Sequence, residues 1–558
     1  MSPEPQPLPR PGAAREAFCW SALALFTLFL LVVNHYYYLK NTRVPIQDEA
    51  WYLETSLHLY HGLADRDLDR FVYHYKTAFQ TKAPLISVLP LPFYLLFGPS
   101  RWSALQVNGL FLVVSNLWLF LLARRLFSAE VGLAAVVYYQ TMPLAFGLSR
   151  TLMVEYGLAA LVLVWLYCLV ASDGLSRGVA NFMLGVVLGL GLLMKVIFPV
   201  FIAGPFLVVW LTRRRHGAVP RAESPFWRSC ARWPLAAIAL PALAIAGSWY
   251  AFNLIHVLQF AWENTFGQIA SGYVAPGQSS RLLLVINEGI SSYYTTVVAV
   301  LGFAALAAAV RRLGWKKLVS NERALLLLGW LVPPMLVMAA STNREIRFAI
   351  PLLPVIAIFF AVSIFHLGRR RGWQAILALL IVIFPLRLFA ELSFPARAHS
   401  HDNTIQWGPF LIFRHVMAWA HPPDSQGAWD QQRIVEAIHR MDTPEAESHY
   451  VVVGVEHPYF NANLLNYLDA YRRSNLHFTS LGYAESSADR AIERINKLDA
   501  RFLVMAEGFH NFELSDFLNQ INGGIQHRLD QGQLPFRFRA RIPLDGGIQA
   551  VIYQREAP

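Results

Sequence analysis

The sequence predicts a polytopic α-helical membrane protein of about eleven transmembrane helices, with juxtamembrane helices and a C-terminal soluble α/β domain. Three observations carry this. The 558-residue chain is 55% hydrophobic and only 15% charged, against roughly 25% charged in ordinary soluble domains. Apolar runs of spanning length recur from residue 18 to residue 391. Beyond about residue 392 the hydrophobicity falls and its period changes.

The runs lie at 18–39, 104–122, 129–147, 155–171, 179–195, 197–212, 235–255, 288–309, 323–341, 347–366 and 374–391. Each approaches the ~20 residues that a helix needs to cross the hydrocarbon core. Residues 1–17 are a polar, Pro-rich tail on the cytoplasmic side. The first run lacks a small-residue cleavage site and reads as an anchor rather than a signal peptide. The run 83–97 is short and holds Pro84, Pro90 and Pro92, which marks an interfacial or re-entrant segment. Charge parity decides the same point. If 83–97 stays on one side, Arg124-Arg125, Arg213–Arg215, Arg311-Arg312, Lys316-Lys317 and Arg369–Arg371 all fall in cytoplasmic loops, as the positive-inside rule requires. The net charge of +11 therefore reflects topology, and a nucleic-acid partner is not implied. Cys19, Cys168 and Cys230 have no metal or disulfide spacing.

The outer side then receives a long first loop (40–103), the turn at 148–155, the turn near Lys195, the 256–287 loop and the loop around Arg344–Arg347. The C-terminal domain, 392–558, lies on that side too. Its runs at 449–455 and 501–506 read as buried strands. Helices are expected at 459–472, 486–497 and 511–528, and a terminal hairpin from 536–543 and 549–554 across Asp545-Gly546-Gly547.

Chemistry concentrates in the outer loops. Asp48 and Glu49 open a helix that continues through Trp51 and Tyr52, and Lys82 precedes the Pro-broken segment. Asp48 could instead cap that helix and Glu49 complement its dipole. Glu155 opens a span on the outer side. Lys195 interrupts an apolar stretch, where a charge costs ~2.5–3.5 kcal/mol on insertion scales and a functional role is the default; snorkelling to the interface is the alternative. Arg344, Glu345 and Arg347 share a short loop, where mutual pairing is the plain reading. Cations suit a phosphate, and a carboxylate suits removal of a proton from a hydroxyl. No G-x-x-x-x-G-K-[ST] loop is present, which argues against an ATP-driven machine.

Asp48-Glu49 with Trp51-Tyr52, then Lys82-Ala83-Pro84-Leu85 running to Phe97-Gly98, resembles the glycosyltransferase C superfamily. The resemblance is strongest to its protein O-mannosyltransferase and lipid A aminoarabinose transferase branch. Ala123-Arg124-Arg125-Leu126, Gly191-Leu192-Leu193-Met194-Lys195, Ser248-Trp249-Tyr250, and Arg347-Phe348 before Pro351 and Pro354 extend it, in order, over about 18–391. The resemblance implies a polyprenyl-phosphate-linked sugar donor and a hydroxyl-bearing glycolipid, glycan or protein acceptor. It makes Asp48 the essential first-loop acid and Glu155 a second acid, with Glu49 beside them. Lys82, Lys195, Arg347 and Arg344 are then expected at the donor phosphate, and Trp51 and Tyr52 at the acceptor. No cofactor is required; a divalent metal is possible but not indicated. A bacterial inner membrane, with the active site and C-terminal domain on the periplasmic side, is the implied location. The chain departs from the branch at Ala50-Trp51, Ala83 and Glu155, so the resemblance implies the fold and not the sugar or acceptor. The competing class is a transporter or flippase of lipid-linked saccharides. Such proteins place ionisable residues near the midplane and show inverted repeats, whereas here the carboxylates sit in outer loops and no repeat is visible.

Overall fold

The computed structural model describes residues 12–216, 224–267, 270, 296–314, 321–343, 345–367, 383, 385–394, 405–407, 410–413, 419–424, 430–442, 449–474, 476–481, 487–508, 516–544 and 547–556. Within these, six helices are long and apolar enough to cross a membrane. They include α1 (Ala13–Lys40), α6 (Arg101–Leu126), α9 (Val154–Ala171) and α13 (Pro234–Thr265). Two shorter apolar helices, α10 (Gly178–Met194) and α11 (Phe198–His216), join them. The expected spans at 323–341 and 347–366 appear as Glu322–Ala340 and Ile346–Phe365. Most of the expected span at 374–391, the Lys316-Lys317 and Arg369–Arg371 clusters, most of the 256–287 loop and Arg344 lie outside the described residues.

One expected span is broken for a local reason, and the short segment 83–97 is broken as well. The run 129–147 is not one helix: α7 (Ala129–Thr141) and α8 (Pro143–Leu148) are separated by Met142, whose backbone is extended. Pro143 forces that break, because a proline pushes the preceding residue out of the helical region. The segment 83–97 forms two short helices, α4 (Leu85–Val88) and α5 (Leu91–Phe97), divided at Leu89-Pro90. Neither reaches the ~20 residues that a crossing needs, as expected of an interfacial segment.

The first long loop also carries α2 (Gln47–Ala64) and α3 (Leu68–Thr77). Helix α2 is buried along much of its length, with Ala50, Leu53 and Leu57 fully enclosed. It is a structural element of the bundle rather than a surface appendage. Close helix crossings use glycine. A Cβ at Gly204 of α11 would lie 2.0 Å from the Gly329 carbonyl oxygen, and one at Gly185 of α10 would lie 2.3 Å from that of Ile238 in α13.

The C-terminal domain holds a five-stranded sheet of order β4-β3-β5-β7-β6. Its strands are β3 (His449–Val453), β4 (Leu476–Ser480), β5 (Phe502–Glu507), β6 (Phe536–Pro543) and β7 (Gln549–Arg555); a separate antiparallel pair, β1 (Ile405–Trp407) and β2 (Phe410–Phe413), precedes them. β3 pairs in parallel with β4 and β5, and β7 is antiparallel to both β5 and β6. The period-2 alternation of strand side chains splits β3 between two cores. Val451 and Val453 join the helices Gln432–Met441 and Ala462–Ala470, while Val452 joins Ala488–Lys497 and Asp516–Asp530. The expected strands and helices and both strands of the terminal hairpin are present, with 511–515 and 545–546 outside the described residues; β1, β2, β4 and the helix Gln432–Met441 are additional.

This domain docks on α2 at both ends. At the N-terminus, Gln47 Nε2 donates to Glu456 Oε2 at 3.0 Å, and the Gln47 amide donates to the Pro458 carbonyl at 3.2 Å. At the C-terminus Arg473 forms a bidentate pair with Asp65 at 2.9 and 2.8 Å. Arg43, just before α2, pairs with Asp424 at 3.3 Å and stacks on Tyr459.

Candidate active site

Five separate segments deliver charge to one place. Asp48 stands in the first turn of α2, after the N-cap position held by Ile46. Its carboxylate does not cap the helix; Oδ1 accepts from Lys82 Nζ at 2.9 Å and Oδ2 pairs with Arg347 Nη2 at 2.8 Å. Arg347 lies in the 3₁₀ turn Ile346–Leu352 that opens the following span. Its Nε faces Glu155 Oε1 at 3.5 Å, and the same oxygen accepts from Lys195 Nζ at 2.7 Å. The result is a continuous row, Lys82–Asp48–Arg347–Glu155–Lys195.

Local backbone geometry aims these groups. Phe79 and Gln80 both take the left-handed conformation (φ 54° each), which is uncommon outside glycine and costly for an aromatic residue. Phe79 is wedged between the rings of Trp51 and Tyr52, with centroids 5.0 and 5.5 Å away. That turn swings Lys82 back over α2. Ala83, where the resembling family has its first proline, packs against Trp249 and Leu193. Lys195 follows the last residue of α10, with extended backbone before α11 begins. The helix break brings its ammonium to Glu155 and to within 4.1 Å of the Phe348 ring centre. Lys195 is thus paired inside the bundle rather than snorkelling.

The row lines a cavity of about 600 Å³. One end holds Asp48, Tyr52, Lys82, Glu155, Lys195 and Arg347; the remaining wall is largely apolar and includes Val200, Phe260, Leu331, Met335 and Ile356. Within the row three cations face two carboxylates, a net charge of +1, and Glu345 adds a third carboxylate to the cavity wall beside Arg347. Burial by itself would raise the Asp48 pKa, but Lys82 and Arg347 outweigh it and hold the carboxyl well below the usual carboxylate range. Tyr52 is kept neutral by burial first, then by the nearby charges of Asp48 and Glu155. Glu155 Oε2 is buried and has no hydrogen-bond partner among the described residues, so this carboxylate has acceptor capacity to spare. Among the described residues no three His, Cys, Asp or Glu side chains stand together as a metal site. The row, three cations on two carboxylates, fits an anion.

Not every residue singled out in the sequence reaches this cavity. Glu49 is fully buried and points away from it, forming a two-pronged pair with Arg101 at 3.0 and 2.8 Å and accepting from the Leu152 amide at 3.3 Å. It clamps α2 to α6 and to the 148–155 turn. Trp51 is not a lining residue; it supports Lys82 from behind, with the ammonium 4.8 Å from its ring centre. Arg344 lies outside the described residues. Sequence reasoning passed over Arg101, although an arginine opening a span on the otherwise weakly charged outer side was the available signal. Glu345, read from the sequence as a pairing partner of Arg344 and Arg347, lines the cavity, and Trp419, whose indole packs on Arg347, was passed over.

A family model described as dolichyl-phosphate-mannose-protein mannosyltransferase matches residues 81–223. No curated protein matches the chain. Among solved structures, ArnT from Cupriavidus metallidurans bound to undecaprenyl phosphate is similar at TM-score 0.58 and 17% identity, covering 95% of this chain and 97% of that one. The same protein in the apo state gives TM-score 0.58 and 15% identity, covering 97% and 98%. An Archaeoglobus fulgidus oligosaccharyltransferase tethered with an acceptor peptide gives TM-score 0.50 and 13% identity, covering 86% of this chain and 69% of that one. At these identities the likeness speaks for the fold. The chain is a multi-pass membrane protein with the fold of the glycosyltransferase C superfamily.

Proposed function

We propose that the protein is an integral-membrane glycosyltransferase. It moves a sugar from a polyprenyl-phosphate donor to a hydroxyl of an extracytoplasmic acceptor, such as lipid A, a cell-envelope glycan or a protein. In this reading it sits in a bacterial inner membrane, with the cavity and the C-terminal domain (392–558) facing the periplasm and 18–391 forming the catalytic transmembrane domain. The observation that carries the proposal is the continuity of the cavity. A cationic end adjoins an apolar channel, which is the shape of a phosphate on a lipid tail. The undecaprenyl phosphate bound by the similar Cupriavidus protein supports the same reading.

Charge balance supports the mechanism. A polyprenyl phosphosugar is a phosphodiester with one negative charge, which neutralises the net +1 of the row. The acceptor hydroxyl attacks the anomeric carbon as its proton passes to Asp48, and the bond from that carbon to the phosphate oxygen breaks. The lipid phosphate leaves as a dianion. With Asp48 protonated the row is +2, so the charge of the row matches that of the phosphate before and after the step. No general acid is required, since the leaving group is already an anion stabilised by Lys82, Lys195 and Arg347. The same balance is reached without a metal ion.

The resting site is not yet a good base, because the cations that depress Asp48 also make it a weak proton acceptor; efficient general bases lie near the working pH. The donor phosphate competes with Asp48 for Lys82 and Arg347. Its arrival loosens both contacts and raises the proton affinity of Asp48 where the acceptor approaches. Glu155 holds Lys195 and Arg347 in place and serves as the second acid, orienting the acceptor or acting as a secondary base. One base and no covalent nucleophile means a single displacement, which inverts the anomeric carbon.

The test is transfer by the purified protein in detergent micelles from a polyprenyl-phosphate-linked sugar to envelope glycolipid or protein, with the anomeric configuration of the product assigned by NMR. Transfer with inversion is expected. Retention of configuration would overturn the single displacement. Movement of lipid-linked sugar across proteoliposomes without transfer in micelles would replace the enzyme by a flippase.

A further inference from the structure

Only part of the Arg347 environment is explained by the cavity. Its Nη2 serves Asp48 at 2.8 Å and its Nε faces Glu155 at 3.5 Å. A flat guanidinium that must meet two carboxylates and a phosphate has to be held in one plane, and long cationic side chains have much rotamer freedom to lose. The restraint comes from outside the cavity wall. The Trp419 ring centre lies 5.2 Å from Arg347 Cζ, within the range of cation–π attraction, and Trp419 is not among the lining residues. Its indole Nε1 donates to Glu345 Oε1 at 3.3 Å, so the same side chain also fixes the start of the 3₁₀ turn that carries Arg347.

Trp419 belongs to the first part of the C-terminal domain, ahead of its five-stranded sheet, and it holds its place against backbone preference. Its φ is 71°, the left-handed region that bulky residues avoid. Neighbours enforce this on both sides. The Trp419 carbonyl is set against Gly147 of α8, where a Cβ would lie 2.3 Å from the oxygen. Ala420, next in the chain, is buried, and His421 is held by the Tyr37 hydroxyl, which donates to the His421 carbonyl at 3.2 Å. An uncommon backbone conformation kept in place by its surroundings is found where geometry serves function.

We propose that Trp419 is a positioning residue for Arg347: it fixes the plane in which the guanidinium meets the donor phosphate, and so makes the first part of the C-terminal domain part of the donor site. The proposal rests on the reading of Arg347 as a phosphate ligand. It gives the docked domain a role in the reaction without a catalytic group of its own.

Trp419→Gly is the informative truncation, because glycine adopts a φ of 71° without strain, and Trp419→Phe keeps an aromatic face while losing the N–H. Trp419→Gly should lower kcat/KM for the polyprenyl-phosphate donor at least tenfold and leave the acceptor KM within about twofold; Trp419→Phe should restore most of the donor loss. In an Arg347→Lys background the Trp419→Gly change should have little further effect. An equal loss in both backgrounds, or equal loss of donor and acceptor terms, would overturn the proposal. A cryo-EM structure of Trp419→Gly reads the geometry without any turnover. Rotation of Arg347 away from Asp48 is expected, and an unchanged 2.8 Å pair would overturn the positioning role. Absence of transfer by the wild-type protein, by contrast, would overturn the glycosyltransferase reading and leave the structural result standing.

Discussion

Lys82→Met removes one cation from the row and takes its net charge from +1 to zero while keeping the length of the side chain. The fold should tolerate this. Asp48 retains Arg347 at 2.8 Å, so its carboxylate is not left without a cation. The cost falls on donor binding. A charge-assisted hydrogen bond to phosphate is worth about 1.5–3 kcal/mol, which at 1.4 kcal/mol per decade means roughly 10- to 100-fold weaker donor binding. Adding Asp48→Asn removes one negative charge and returns the row to +1. The double variant should therefore recover much of the donor affinity and still transfer no sugar. Titration of a polyprenyl phosphate into detergent-solubilised protein, followed by tryptophan fluorescence, measures this; Trp51 is a reporter already in place, 4.8 Å from the Lys82 ammonium. Donor affinity within twofold of wild type in Lys82→Met, or a double variant binding no better than the single one, would refute the charge-balance reasoning.

Glu49→Gln should act on stability rather than on chemistry. Breaking a buried ion pair by neutralising one partner costs about 3–5 kcal/mol, reduced toward about 3 here because Arg101 is 20% exposed; the melting temperature in detergent should fall while turnover per folded molecule stays within a few-fold. Glu456 gives a pH dependence. Burial pushes its carboxyl up to about 8, so the folded protein binds the extra proton between the unfolded value near 4.5 and 8, and stability should fall as pH rises through that window. Glu456→Gln should flatten the profile, as read from thermal melts at pH 5 to 8.5. Asp48 has the opposite sign. Its depressed carboxyl stabilises the fold above the unfolded value near 4 and loses that contribution only as pH falls through the lower folded value, so melts between pH 5 and 8 should not change on Asp48→Asn by way of titration.

The membrane half of the molecule was legible because its physics is one-dimensional. A span is a run of apolar residues, and positive-inside parity placed the short 83–97 segment without any tertiary information. What the period of hydrophobicity could not show was the break at Met142, where one proline outweighs an otherwise spanning run. In the site, Asp48, Lys82, Glu155, Lys195 and Arg347 were recognisable as charges in the wrong place for a membrane protein. Their order in a single alternating row was not, since it depends on the left-handed turn at Phe79-Gln80 and on the end of α10. Glu49 shows the limit most clearly. Adjacent to Asp48 and identical in charge type, it belongs to a structural clamp, because successive residues of a helix point about 100° apart and only one of the two faces the cavity. Trp419 lay furthest from view. Nothing in its local sequence marks it, and its role arises from how the C-terminal segment returns to the bundle.

The most direct measurement is single-turnover transfer by purified Asp48→Asn with saturating polyprenyl-phosphate-linked sugar. Asparagine keeps the side chain's size and one hydrogen-bonding oxygen but cannot take up a proton. Loss of a general base typically costs ~10²–10⁴ in rate, or about 3–5 kcal/mol. The expected result is a folded protein that binds donor at least as tightly as wild type and transfers at least a hundredfold more slowly. Transfer by Asp48→Asn within tenfold of wild type would contradict the assignment of Asp48 as the base.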